Sequence, residues 1–215
     1  MSINNSKITS TAVIDEAFGE YAIGKARYKI SPSQIADNNF LAAIYRERCI
    51  NYPKFHKMDK ISKAGFLAVE LAISALPKTL DKETTGVVFF SDNNGSLPTD
   101  YIFEETIKDT DNFFPSPSIF VYTLPNILVG EICIRHGFKG ESSYYAIDDI
   151  PALYKSTSPF VLNERAFSYS DVLPEETVGN IVNDMLHECS SVVCGSWLFD
   201  DDKITAWAAV FENFK

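Results

Sequence analysis

The stretch from residue 116 to residue 151 reads SPSIFVYTLPNILVGEICIRHGFKGESSYYAIDDIP, and it contains the pattern that decides the fold. Its first part predicts a helix over Ile119 to Arg135, because apolar residues recur on nearly every side of it. Pro125 suits a first turn, so the regular helix is expected to begin near Thr123. The glycines that follow favour a helix end, and Ser142 to Ile147 is a strand candidate. An all-round apolar helix is expected either in the core or at a subunit interface.

Strand and helix patterns alternate along the rest of the chain. The other predicted strands are 11–15, 85–92, 191–199 and 204–214, and the other predicted helices are 39–49, 57–76, 97–108 and 174–189. Such alternation is typical of a mostly parallel sheet covered on both faces. The short turn before the last strand makes that strand antiparallel. We therefore predict one α/β domain over residues 1–215, with a five-stranded mixed sheet and helices on both faces.

The composition excludes several classes of partner. The chain has 215 residues, a formal net charge of −10 and 46% hydrophobic residues. An acidic surface disfavours nucleic acid and anionic membranes. The polar N-terminal segment lacks the apolar core of a signal peptide, and no apolar run is long enough to span a bilayer. We expect a cytoplasmic protein that binds neither nucleic acid nor membrane.

The cysteines and histidines do not form a recognisable reactive or metal-binding motif. The four cysteines include no C-x-x-C pair, and the three histidines are far apart in sequence. Free thiols in a reducing compartment are the favoured interpretation. Neither a metal site nor a cofactor is expected.

Four segments could carry chemistry, and each has a more ordinary interpretation. Asp148 and Asp149 could be a carboxylate pair for acid–base work, but Asp-Asp-Ile-Pro is also strong turn and helix-start chemistry. Asp200 to Asp202 could bind a cation, although a solvated hairpin turn is favoured. The Gly-Ser turn in DNNGSLPTD (92–100) lacks the lysine and the glycine spacing of a P-loop. Ser196 is not in a G-x-S-x-G elbow, which disfavours a hydrolase nucleophile there.

Three parts of the sequence resemble the N-terminal half of β-ketoacyl synthases, which have a thiolase-like fold. The matched residues of the quoted stretch are Asn126, Gly130, Gly137, Phe138, Gly140 and Ser142. TGVVFFSDNNGSLPTD (85–100) resembles the family's second strand and the Gly-Ser loop after it. VVCGSWLF (192–199) stands where the family has a strand ending in Gly-Gly. The likeness covers about residues 11–211, as in short ketoacyl-synthase-like N-terminal domain proteins.

The resemblance implies a strand order of 3-2-1-4-5, with residues 11–15 central and the last strand antiparallel at one edge. It also implies a missing active site. The position of the family's nucleophilic cysteine falls on Asp149, beside Asp148, and the half that bears the catalytic histidines is absent. A carboxylate cannot replace a thiolate in acyl transfer from a thioester. No independent ketosynthase activity is therefore expected.

In whole ketosynthases the matching helix start and strand line the subunit interface and the acyl tunnel. The residues here that would do so are Phe120, Tyr122, Leu124, Asn126, Tyr144 and Tyr145. The resemblance implies a homodimer, or a heterodimer with a ketosynthase-like protein, with an acyl carrier protein as a possible further partner.

Three functions fit these observations. The first is a non-catalytic accessory or chain-length-factor-like protein in fatty acid, polyketide or aryl polyene-type biosynthesis. The second is an enzyme that acts on an acyl thioester by a mechanism without cysteine, with Asp148 or Asp149 as base. The third is a homodimeric scaffold that binds no acyl group.

Overall fold

The computed structural model describes residues 6–31, 33, 35, 39–91, 97–111, 113–147, 176–200 and 202–213. Within these ranges the chain forms seven strands and six α-helices. The strands are β1 (Ser6–Asp15), β2 (Glu20–Ile23), β3 (Ala26–Lys29), β4 (Thr85–Ser91), β5 (Ser142–Ala146), β6 (Ser191–Asp200) and β7 (Lys203–Asn213). The helices are α1 (Phe40–Glu47), α2 (Lys60–Ser74), α3 (Leu97–Ile107), α4 (Pro117–Val121), α5 (Ile127–His136) and α6 (Glu176–Glu188), and a 3₁₀ turn spans Pro53–Lys57.

The seven strands form one mixed sheet in the order β3-β2-β1-β7-β6-β4-β5. β4 is parallel to both β5 and β6, whereas β7 is antiparallel to both β1 and β6. The predicted antiparallel final strand and the predicted edge position of 142–147 agree with this sheet. The predicted count of five strands is wrong, because β2 and β3 form an additional hairpin beyond β1. That hairpin escaped prediction because its strands are only four residues long.

The predicted order is also wrong, because the last strand is not at an edge. β7 lies between β1 and β6, and β1 does not separate β4 from β6. The six consecutive residues Ala206–Phe211 of β7 are buried. A strand that is apolar on both faces is stable only where other elements cover both faces, which favours an interior position.

One face of the sheet is covered by α1, α2 and α5. Phe66, Leu67 and Val69 of α2 are wholly buried, together with Leu128 and Ile132 of α5. α2 contains Gly65, and a Cβ there would lie 2.4 Å from Cδ2 of Leu128. The glycine therefore permits the close approach of α5 to α2.

The opposite face carries α6. Val182, Met185 and Leu186 of this helix are buried in a cluster with Val88 and Phe90 of β4. Helices thus lie on both faces of the sheet, as predicted. None of the described helices is long and apolar enough to cross a membrane.

The predicted helix over 119–135 is two helices. α4 ends at Val121, and α5 begins at Ile127 after a break that contains Pro125. Proline has no N–H for an intrahelical hydrogen bond, and it sits immediately before the N-cap residue Asn126. A wholly core position for this segment is also wrong, because α4 contains no buried residue and Ile134 of α5 is 64% exposed; the alternative position at a subunit interface stays a prediction.

Candidate functional site

A cavity of about 770 Å³ lies at the end of the sheet where β1, β4 and β6 finish. The N-terminal ends of α2, α3 and α4 converge on it, and the turn between β6 and β7 closes one side. Its lining residues are Lys57, Met58, Asp59, Lys60, Ile61, Pro98, Thr99, Tyr101, Ile102, Ser118, Ile119, Tyr122, Phe199 and Asp202. In open α/β sheets, ligands bind beyond the carboxyl ends of the parallel strands. This cavity is therefore the candidate functional site.

Asp59 joins two walls of the cavity. Its Oδ1 accepts a hydrogen bond from the backbone N–H of Ser62 at 2.9 Å, which caps α2. Its Oδ2 accepts a hydrogen bond from the Thr99 hydroxyl at 2.8 Å, which ties α3 to α2. Both oxygens of this carboxylate are thus engaged in holding the walls together.

Lys60 closes the side nearest the hairpin of β6 and β7. Its Nζ lies 2.8 Å from Oε2 of Glu16 and donates to the backbone carbonyl of Asp202. The same Glu16 oxygen accepts a hydrogen bond from the backbone N–H of Ile204 at 3.0 Å. The positive charge of Lys60 is therefore already paired with the Glu16 carboxylate at this side of the cavity.

Most of the remaining lining is apolar or aromatic. These residues include Ile61 of α2, Ile102 of α3 and Ile119 of α4, together with Tyr122 and Phe199. A cavity with mostly apolar walls and several polar side chains, among them Lys57, Ser118 and Asp202, is suited to a ligand with a large apolar part.

The cysteines of the chain lie elsewhere. Among the residues that the structure describes, those lining the cavity include no cysteine and no histidine. Burial raises the pKa of the Cys194 thiol, which is inaccessible within β6, and burial likewise raises the pKa of Cys133. Both environments favour the neutral thiol over the nucleophilic thiolate.

The histidines are far apart in the fold. His56 packs edge-on against Tyr45, His136 lies beside Glu70 with Nε2 2.8 Å from its Oε1, and His187 is in the last turn of α6. Within the described part of the chain, no group of three or more histidine, cysteine, aspartate or glutamate residues could hold a metal ion.

The position matched to the family nucleophile, Asp149 with its neighbour Asp148, lies outside the described residues, as does the Gly95-Ser96 turn. β5 ends at Ala146, where the backbone N–H of Ile147 donates to the carbonyl of Ser91 at 2.9 Å. The chain thus leaves the sheet beside the end of β4. At the other acidic segment, the backbones of Asp200 and Lys203 are opposite each other in the hairpin of β6 and β7. Asp202 lies in the turn with a positive φ of 60°.

Of the six residues predicted to line an acyl tunnel or a subunit interface, one lies at the cavity and five do not. Only Tyr122 lines the cavity. Phe120 is 50% exposed and packs on Phe103 with ring centroids 5.3 Å apart, and Leu124 is 47% exposed. Asn126 occupies the N-cap position of α5 without a side-chain capping hydrogen bond.

The two tyrosines of β5 point to opposite faces of the sheet, as strand geometry requires. Tyr144 stacks on Trp197 at 5.6 Å, and its hydroxyl is hydrogen-bonded to the hydroxyl of Ser91. Tyr145 stacks on Phe90 at 5.7 Å and is 36% exposed. Neither tyrosine lines the cavity.

Sequence reasoning missed most of the α2 and α3 walls, including Met58, Asp59 and Thr99. A signal was present for Asp59, because an aspartate directly before an amphipathic helix is a preferred N-cap residue. The pairing of Asp59 with Thr99 spans 40 positions and has no local signature.

The mixed sheet with helices on both faces defines an α/β fold, and similar solved structures support a thiolase-like fold. The ishigamide ketosynthase/chain length factor has this fold, with a TM-score of 0.61 and 14% identity over 98% of this chain and 62% of that chain. A similar match is AntDE:AntF, described as a type II polyketide synthase acyl-carrier protein in complex with its ketosynthase bound to the hexaketide. Its TM-score is 0.56 and its identity 14%, over 97% of this chain and 62% of that chain.

A third similar structure is the ketosynthase ApeO in complex with its chain length factor ApeC from Xenorhabdus doucetiae. The TM-score is 0.54 and the identity 12%, over 98% of this chain and 79% of that chain. The chain spans about 62% of the length of the first two structures. No protein-family model matches the sequence, and no curated protein matches it. The ketosynthase resemblance is thereby confirmed at the level of the fold.

Proposed function

We propose that the chain is a non-catalytic, ketosynthase-like accessory protein of the chain-length-factor type in fatty acid, polyketide or aryl polyene-type biosynthesis. One observation carries the proposal. A ketosynthase-like fold has an apolar cavity at the carboxyl end of its sheet, and the described residues that line the cavity include neither cysteine nor histidine. Acyl transfer from a thioester needs a nucleophile and groups that stabilise the oxyanion. An apolar cavity without them can hold an acyl chain but not condense it.

The proposed contribution of the cavity is to limit the space open to a growing acyl chain. Ile102 of α3 and Ile119 of α4 both line it. Larger side chains at these positions would shorten the space along the apolar walls. Each methylene excluded from an apolar site removes about 0.8 kcal/mol of binding, which is sufficient to change product length.

The partner proposed for this function is a ketosynthase-like chain bound at the β5 edge of the sheet. β5 pairs with β4 on one side, and no described strand lies on its other side. The exposed side chains Phe120, Val121 and Leu124 of the α4 region add apolar surface. An open strand edge beside exposed apolar side chains is suited to pairing with another chain.

An acyl carrier protein is the second proposed partner. Residues 54–63 contain four lysines and one aspartate, although the whole chain carries a net charge of −10. Lys57 lines the cavity, as does Lys60, whose charge is paired with Glu16. A basic segment beside the cavity would attract an acidic carrier protein.

We place the protein in the cytoplasm because its four cysteines are free thiols.

The first experiment measures activity of the chain by itself. The purified protein is incubated with acyl and malonyl carrier-protein thioesters, and products are identified by mass spectrometry. We expect no condensation product and no cysteine labelled by cerulenin at a substoichiometric dose. Condensation above a no-protein control would overturn the proposal. Thioester hydrolysis that is lost in Asp148→Asn or Asp149→Asn would instead establish an enzyme with a carboxylate base.

The second experiment tests the accessory role. The chain is co-expressed with a ketosynthase of the same organism, and product lengths are compared for the wild type, Ile102→Trp and Ile119→Trp. We expect both variants to shorten the products. Asn180→Trp is the matched control, because Asn180 is exposed on α6, away from the β5 edge, and does not line the cavity. Unchanged product lengths in the cavity variants would favour a scaffold that binds no acyl group.

A further inference from the structure

Two neighbouring phenylalanines follow α3, and both side chains are exposed. Phe114 is 82% exposed and Phe113 is 57% exposed. The backbone N–H of Phe114 donates to the carbonyl of Thr106 at 3.0 Å, so the pair is held at the C-terminal end of α3. A single exposed apolar residue is common on protein surfaces, whereas several close together mark a site of interaction.

α3 itself continues this apolar surface. Tyr101 and Ile102 are each more than half exposed, at the rim of the cavity. From Tyr101 to the end of α3 at Ile107 is less than two helical turns, or about 9 Å at 1.5 Å per residue. The pair on the helix and the pair after it are therefore within reach of one helical ligand. We call these four residues, Tyr101, Ile102, Phe113 and Phe114, the α3 patch.

The charged residues around the α3 patch are nearly all acidic. Residues 97–114 contain five acidic residues and one lysine, which gives this segment a net charge of −4. The lysine, Lys108, lies 3.0 Å from Glu105, and the segment contains no other cation. Glu104 and Asp111 are exposed. The α3 patch is thus an apolar surface in a negative electrostatic field.

This charge decides which kind of partner fits the patch. An anionic membrane, an acidic carrier protein or a second copy of this chain would each bring further negative charge to it. A partner with basic residues around apolar ones is complementary in both respects. A basic amphipathic helix carries apolar and basic side chains together, with the apolar ones three or four positions apart.

We propose that the α3 patch binds a basic amphipathic helix of another protein. The apolar side chains of that helix contact the two apolar pairs of the patch. Its lysine or arginine side chains lie near Glu104 and Glu105, which come between the two pairs along the chain. The patch shares no residue with β5, so the inference does not depend on the ketosynthase-like partner proposed there.

Peptides of defined charge test the proposal. The probe is a fluorescein-labelled peptide of about 14 residues, or about four helical turns, with leucine at every third or fourth position and lysine elsewhere. A second peptide has glutamate in place of every lysine. We expect fluorescence anisotropy to show that the whole chain binds the lysine peptide and not the glutamate peptide. Added salt should weaken the binding.

Matched variants locate the binding. Phe114→Ser should raise the Kd for the lysine peptide about tenfold, because a buried aromatic contact is lost. Phe18→Ser is its control, since Phe18 is also exposed, at 59%, in the turn between β1 and β2. We expect the control to bind like the wild type. Circular dichroism shows whether each variant is folded.

A second pair of variants separates local from overall charge. Glu104→Gln combined with Glu105→Gln removes two negative charges beside the patch, and we expect about tenfold weaker binding. Glu83→Gln combined with Glu188→Gln removes the same charge at exposed positions elsewhere, and it should have little effect.

Three results would overturn the α3 patch as the site of a basic helix. Equal weakening by the two glutamate pairs would mean attraction to the whole acidic chain. Equal binding of the glutamate peptide would remove the argument from charge. Binding to vesicles of uncharged phosphatidylcholine that competes with the lysine peptide would identify a lipid surface as the occupant. None of these results affects the product lengths, by which the proposed function is tested separately.

Discussion

The two edge strands of the sheet carry different side chains and have different neighbours. β3 has Arg27 and Lys29 among its four residues, and Lys25 precedes it. β5 has five uncharged residues, two of them tyrosines. Charged residues on an edge strand discourage pairing with another chain, whereas an uncharged aromatic edge permits it. One edge of this sheet is therefore protected and the other is available to a partner.

The helices beside the two edges differ in the same way. Near β3, Arg48 at the end of α1 lies over the rings of Tyr21 and Tyr28, at 4.9 and 4.1 Å from their centroids. Near β5, α4 and α5 leave Phe120 and Ile134 at least half exposed. The aromatic side chains of the first edge are covered by the chain's own arginine, whereas the apolar side chains of the second edge are exposed.

The largest expected effect comes from making the β5 edge resemble the β3 edge. Tyr145→Lys places a charge on the exposed side of β5, so burying that strand against a partner would require removing the ammonium group from water. We expect light scattering to show 24.0 kDa in place of twice that mass. Tyr28→Lys on β3 is the control and should leave the assembly unchanged. An intact dimer in Tyr145→Lys would place the interface elsewhere.

The second effect concerns the glycines beside the two edges. A Cβ at Gly140, just before β5, would lie 2.5 Å from the carbonyl oxygen of Thr85, and backbone atoms cannot move aside easily. We expect Gly140→Ala to lower the free energy of unfolding by about 2–4 kcal/mol. Gly24, between β2 and β3, has open space but a φ of +55°. Gly24→Ala should cost only about 1 kcal/mol, for the left-handed conformation.

Urea denaturation of the two glycine variants and the wild type measures this difference. Equal losses at Gly140 and Gly24 would contradict the assignment of one glycine to close approach and the other to backbone conformation. The slope of the transition should stay the same in all three proteins if only stability has changed.

The third effect is the pH dependence of the free energy of unfolding, which we expect to depend on Glu70 and its partners on α5, next to β5. Burial raises the pKa of Glu70, but hydrogen bonds from His136 and Arg135 outweigh it and hold this pKa below its ordinary value of 4.5. A depressed carboxyl pKa contributes stability that is complete above pH 4.5 and is lost as the pH falls through the folded-state pKa. We expect Glu70→Gln to cost about 1–3 kcal/mol at pH 7, with the difference from wild type vanishing in acid.

The pH series sharpens the comparison of the two edges, because the stability contributed near β3 changes in alkaline solution and the stability contributed near β5 changes in acid. Burial and the hydrogen bond to Glu47 raise the pKa of Tyr21 well above its ordinary value of 10. A raised tyrosine pKa contributes stability below pH 10 that is lost as the pH rises through the folded-state pKa. Urea midpoints should be measured from pH 3 to 11. In Glu70→Gln we expect the loss of stability with falling pH to become smaller and the loss at high pH to stay as in the wild type. Glu83→Gln, at an exposed pair, is the control.

The smallest effects are expected from exposed ion pairs beside each edge. Lys139 lies 2.5 Å from Glu83 near β5, and Lys29 lies 3.4 Å from Glu20 near β3. Solvent screens both pairs, so Lys139→Ala and Lys29→Ala should each change the free energy of unfolding by less than about 0.5 kcal/mol. Thermal unfolding at low and high salt measures this. A loss above 1 kcal/mol in either variant would show that the pair is part of a larger network.

Local patterns in the sequence predict several elements and part of the site. The apolar run of β4 and the periodic face of α2 predict those elements, and the short link between β6 and β7 predicts their antiparallel pairing. Asn126, Gly130 and Gly140 are part of the ketosynthase resemblance, which the fold confirms. Of the predicted tunnel and interface residues, Tyr122 alone is found at the cavity. The roles of the others at an interface remain predictions.

The amino-acid sequence by itself determined most of the helices and strands, though not the β2–β3 hairpin or the break between α4 and α5, because side-chain periodicity and turn residues act over a few positions. Only the tertiary structure decided which strands lie side by side, since β1 and β7 pair across nearly the whole chain and their hydrogen bonds have no local signature. The tertiary structure also decided that Phe120 and Val121 of α4 and Ile134 of α5 face outward, whereas Leu128 and Ile132 of α5 are buried. Exposure depends on what packs against a helix, and α5 is buried only where α2 and the sheet meet it. The cavity has the same origin, because Asp59 and Thr99 become neighbours only when α2 and α3 come together.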